Sequence, residues 1–87
     1  MVKVSKVTVP AQTTVLLVEE NEDVIVTFET LPVSIGGLSD LSNASDRIAG
    51  GFLAQKQLAI PKGSKLYGYY TSPSGSQEVS MLIISVD

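Results

Sequence analysis

Short runs of β-branched residues, each broken within a few positions by Gly, Pro, Ser or Asn, set the limits on what this chain can fold into. Val occurs eleven times in 87 residues. Nowhere do apolar positions hold a 3.6-residue period long enough for an amphipathic helix. The pattern predicts an all-β chain, a small antiparallel β-sandwich or jelly-roll-like barrel of about seven to eight strands, with residues 1–87 as a single domain. Strands are expected near Val2 to Val9, Val15 to Val18, Val24 to Glu29, Val33 to Ile35, Phe52 to Ile60, Leu66 to Thr71 and Val79 to Val86.

The breaks between these runs have physical causes. Pro10 lacks an amide hydrogen and ends the first run, and Glu19-Glu20-Asn21-Glu22-Asp23 reads as a charged hairpin loop. Pro61-Lys62-Gly63 sets a turn, and Ser72 to Ser76 is short enough to predict that the last two strands form an antiparallel hairpin. In the first run the apolar phase jumps from Val2 and Val4 to Val7 and Val9 across Ser5-Lys6. That jump predicts a bulge or bend, or else an N-terminal arm over residues 1–9 that pairs with a neighbouring chain instead of serving as an edge strand.

A different kind of segment runs from Gly36 to Gly51, with a glycine pair at each end and no strand period. Connections of this length are uncommon and often functional. Ser39, Asp40, Ser42, Asn43 and Ser45 can equally well order it through their own local hydrogen bonds.

Composition removes most chemistries. The sequence has no Cys and no His, so a disulfide, a thiolate zinc site, a thiol nucleophile and an imidazole base are all absent. Asp40 and Asp46 in the long segment, and Glu19, Glu20, Glu22 and Asp23 in the loop, are the remaining acid-base or cation-binding candidates. Neither group has calcium-loop spacing or a nucleophile-base pair. A non-enzymatic chain without cofactor or metal is therefore expected. A net charge of −3, with Arg47 the single guanidinium, gives no basic footprint for nucleic acid. Apolar runs such as Met81 to Ile84 are too short to span a bilayer, and the N-terminus lacks a signal-peptide core, so a soluble, unprocessed product without a membrane partner is expected.

Face analysis raises the question of partners. Thirty of the side chains are Val, Ile, Leu, Met or Phe. In the third run Val24, Val26 and Phe28 share one side, whereas the last run is apolar on both: Val79, Met81 and Ile83 against Leu82, Ile84 and Val86. Val15 to Val18 is two-sided as well. Such strands need cover on both faces. Either the long segment folds over the outer face or another chain does. In the second case the candidate interface residues are Val15, Leu17, Met81 and Ile83, together with Tyr67, Tyr69 and Tyr70, whose amphipathic rings suit an interface or a sugar platform.

One further reading comes from segment order. Val15-Leu16-Leu17-Val18, the Asn21 loop, Val24 to Phe28, Pro32-Val33-Ser34-Ile35-Gly36-Gly37, Gly51-Phe52-Leu53, and Ile60-Pro61-Lys62-Gly63 leading to Leu66-Tyr67-Gly68-Tyr69 resemble small β-sandwich proteins of tailed-bacteriophage virions. The resemblance runs from about Val7 to Val86. It implies a capsid decoration protein or the capsid-anchored base of a head fibre, found on the virion surface, with the major capsid protein as partner and no catalytic residues. Such sequences often carry an Arg shortly after the loop Asn, where this chain has Glu22-Asp23. A homo-oligomer is expected, a trimer by the symmetry of shell sites. The alternative is a carbohydrate-binding or adhesin-type sandwich that uses the tyrosine strand or the long segment.

Overall fold

The structure is a computed structural model that describes residues 2–47 and 57–86. It is an all-β sandwich of two antiparallel sheets. The strands are β1 (Val2–Pro10), β2 (Thr14–Glu19), β3 (Val24–Thr30), β4 (Ser34–Gly36), β5 (Gln57–Ile60), β6 (Lys65–Tyr69) and β7 (Ser76–Ser85), with one 3-10 turn at Ala44–Asp46. One sheet has the order β1-β7-β3-β5 and the other β2-β6-β4. The Cα atoms span 40 × 21 × 16 Å, and the shortest dimension fits two sheets stacked roughly 10 Å apart. Of the expected strand at Phe52 to Ile60, Gln57–Ile60 is observed; the rest, with Gly50, Gly51 and Leu53, lies outside the described residues.

Strands consecutive in the described sequence alternate between the sheets, as in a jelly roll. This corrects the hairpin expectations. β7 does not pair with β6; it is an inner strand of the larger sheet, antiparallel to β1 on one side and β3 on the other. The acidic loop likewise arches from β2 in one sheet to β3 in the other. The cause is the core: Val79, Met81 and Ile83 must face the smaller sheet, which β7 achieves only from the opposite layer. With Val9, Val24, Val26 and Phe28 they meet Leu17, Val18, Val33, Ile35 and Leu66 in one buried cluster.

The predicted bulge at Ser5-Lys6 is also corrected. β1 pairs with β7 without interruption from Val2↔Ile84 to Pro10↔Ser76, so residues 2–10 form an edge strand of their own sheet. The phase jump is accommodated by facing: Val7 and Val9 point inward, and Val2 and Val4 point outward. Bulges fall instead near Leu17 in β2 and near Glu29 in β3. The first explains the two-sided reading of Val15 to Val18, because the extra residue lets adjacent Leu17 and Val18 both turn inward.

Gly68 makes room for this bulge. A Cβ there would stand 2.9 Å from Leu17 Cδ1 and 3.2 Å from Val33 Cγ2. Gly63, with φ +82° and the Ser64 N–H donating to Pro61 O, closes the turn before β6 as predicted, with proline at its first position.

Candidate functional site

The segment after β4 folds back over the outer face of the smaller sheet. Register places Thr14, Tyr69 and Ser34 side by side on that face, and Leu16, Tyr67 and Gly36 on the next row. Leu41 descends onto Gly36 and is completely buried, outside the main core. Its N–H donates to Thr14 Oγ1 at 3.0 Å. Arg47 clamps the return: its guanidinium lies 4.7 Å above the Tyr69 ring, Nε donates to Leu41 O at 2.8 Å, and a terminal nitrogen donates to Ser42 O at 3.1 Å. Asp40 and Asn43 order the loop as predicted, by accepting from the Ser42 and Ser45 N–H groups. The backbone bond from Ser42, with its side chain second, holds the Asp40 carboxyl below its ordinary 3.8. This loop is a cover built from its own residues.

The acidic residues are also engaged structurally. Glu20 accepts from Lys3 Nζ at 2.8 Å, closing one end of the sandwich, and Glu19 pairs with Lys65 at 3.4 Å. Glu22 accepts from Ser85 Oγ, and Asp23 accepts from the Lys62 N–H, both at 2.7 Å. An open hollow of about 330 Å³ lies there, lined by Asn21, Glu22, Asp23, Lys62 and Val86. Among the described residues no three acidic side chains are placed to hold a metal ion.

The candidate interface residues scatter, which corrects their grouping. Leu17, Met81 and Ile83 are core residues, and Val15 packs against that core half-buried. Tyr69 is buried beneath Arg47. Tyr70 turns toward the core, and its phenol accepts from the Gln77 amide at 3.3 Å. That bond, and a weaker one with Ser72, lower its ionisation from the ordinary 10.0. Only Tyr67 of the three is left half-buried on an outer face, so the tyrosines form no common platform.

The residues missed are on the other side of β7. Across the outer face of the larger sheet, register aligns Val2, Ile84, Ile25 and Ala59 in one row, one residue from each of β1, β7, β3 and β5. The next row is Val4, Leu82, Thr27 and Gln57. Val2 is 69% exposed and Val4 64%, while Ile84 and Val86 are exposed beside them. These are four of the six exposed large hydrophobics among the described residues. Neither row contains a charge. Charged side chains return two and four positions along, where Lys6 pairs with Ser80 and Thr8 with Glu78. The sequence signal for this surface was the Val2-Val4 phase jump together with the second apolar face of the last strand.

Comparison of the chain with family models, with curated proteins and with solved structures finds no match.

Proposed function

We propose that this chain is a structural virion protein of a tailed bacteriophage that seats on the outer surface of the capsid, binds the major capsid protein and reinforces the shell, as a decoration protein or head-fibre base. The observation that carries the reading is the pair of uncharged rows on the outer face of the larger sheet. A row of apolar side chains four strands wide, extended by Val4 and Leu82 in the next row, gains free energy when another protein covers it. The order of short segments supports the same reading through its resemblance to phage sandwiches. The chain works by association, as a homo-oligomer placed repeatedly over a shell.

Co-sedimentation with purified shells of the phage that encodes the chain tests this. Saturable pelleting and a raised shell-opening temperature are expected. A chain that stays in the supernatant at every concentration, or that binds glycans on an array while ignoring shells, contradicts it.

A further inference from the structure

We infer that the free edge of β1 takes an extended segment of the capsid protein as an added strand, a segment that carries apolar residues and an acid at alternate positions. The inference rests on the virion reading above and names the contact by which the chain seats on the shell.

Backbone direction in β1 follows from its neighbour. Along a strand, the N–H and C=O groups of successive residues point to opposite sides. In β7 the Ser80 N–H donates to Thr30 Oγ1 at 3.3 Å, Glu78 O accepts from the same hydroxyl at 3.4 Å, and the Val86 N–H donates to Asp23 O at 3.1 Å, so the even-numbered residues face β3. The odd-numbered ones face β1, where Val79, Met81 and Ile83 sit opposite Val7, Ser5 and Lys3. Val2, Val4, Lys6 and Thr8 therefore direct their backbone groups away from the sheet, and among the described residues no hydrogen bond reaches those groups. Pro10 is in the same phase; its missing N–H falls on this open side, where a strand tolerates it.

β1 is the longest and least interrupted of the four sheet edges. Exposed edges are normally kept short, bulged or charged. β4 has three residues, β5 has four among those described, and β2 is broken by its bulge near Leu17. β1 runs for nine residues in unbroken register. Its side chains select the occupant. Val2 and Val4, the two most exposed large hydrophobics among the described residues, stand on the same outer face as Lys6. Three alternate positions of an added strand beside them must then be apolar, apolar and acidic. Lys6 is exposed and has no ion pair among the described residues; Glu78, the nearest acid by register, lies one strand further in, opposite Thr8. A second β1 is a poor match, because residues 2–10 hold two lysines and no acid. Lys6 thus repels another copy of this edge and admits an acidic strand.

Hydrogen exchange over residues 2–10, read by mass spectrometry in the free chain and on shells of a tailed phage whose genome carries this sequence, tests the edge. The amides of Val2, Val4, Lys6 and Thr8 should exchange freely in the free chain and slow at least roughly 10-fold on the shell. Co-sedimentation of variants checks the same contact. Thr8→Pro removes an N–H that makes no bond to β7; it should fold by far-UV circular dichroism yet bind shells roughly 10-fold or more weakly. Lys6→Glu should also bind more weakly, and Thr8→Ala should bind like the unchanged chain. A chain that pellets while these amides keep exchanging freely, or that binds equally well as Thr8→Pro and as Lys6→Glu, overturns the added strand and leaves the virion reading standing. Amides that become protected in the free chain as its concentration rises put a second copy on the edge and overturn it too. A chain that never pellets sinks the virion reading, and its capsid occupant with it.

Discussion

Leu41→Ala tests whether the long segment is a true cover of the smaller sheet. Leu41 is 0% exposed although it sits in an irregular loop. Its removal takes about three methylene equivalents out of an apolar site, roughly 2.4 kcal/mol by transfer alone. A cavity against Gly36 adds to this, but a loop can settle into the space more readily than a core strand, so about 2–3 kcal/mol is expected. The loss matters because a domain of this length has a total stability of only ~4–13 kcal/mol. The assay is urea unfolding followed by tyrosine fluorescence, since the chain has no Trp and Tyr69 lies directly under the loop. Leu38→Ala is the control: 53% exposed on the same segment, it should change stability by less than about 0.5 kcal/mol. Equal effects of Leu41→Ala and Leu38→Ala would refute the packing argument. The sandwich would then have a second uncovered face, and the distinction between the two sheets would fail.

Other consequences are open to measurement. Gly68→Ala, which pushes a Cβ into Leu17 and Val33, should lower stability by about 1–3 kcal/mol, with partial recovery in the Leu17→Ala background. Gly37→Ala meets open space and should be neutral in the same unfolding experiment. Gln12 has φ 51°, a left-handed backbone that a branched side chain tolerates poorly; Gln12→Val should cost about 1 kcal/mol or more while Gln12→Gly should not. The depressed Asp40 carboxyl stabilises the folded loop above pH 3.8, and this contribution is lost as pH falls through the lower folded-state value. Carbon-detected NMR titration should place its midpoint below 3.8, and Ser42→Ala should raise it only part of the way, because the backbone N–H remains.

The strands were legible because side-chain alternation and turn residues are local properties. Partner choice between strands was not. A connection such as Ser72 to Ser76 can reverse the chain within one sheet or carry it across to the other, and only the demand that Met81 and Ile83 face Leu17 and Ile35 decides between them. The same ambiguity misdirected the interface. Both faces of β7 are apolar in sequence, and which one becomes core depends on where the smaller sheet lies. Val2 and Val4 carried the missing information in their phase, which reads as a bulge until the unbroken register with β7 turns it into exposed surface. Arg47 left no signal, since its value lies in reaching Tyr69, 22 positions away in sequence.

The most direct test of the proposed virion role is quantitative mass spectrometry of purified particles of a tailed phage whose genome carries this sequence. The expected result is this chain at a fixed ratio to the major capsid protein, surface-labelled in intact particles and taken up to the same ratio when it is added back to shells assembled without it. Particles of full infectivity and stability that contain none of it would contradict the account.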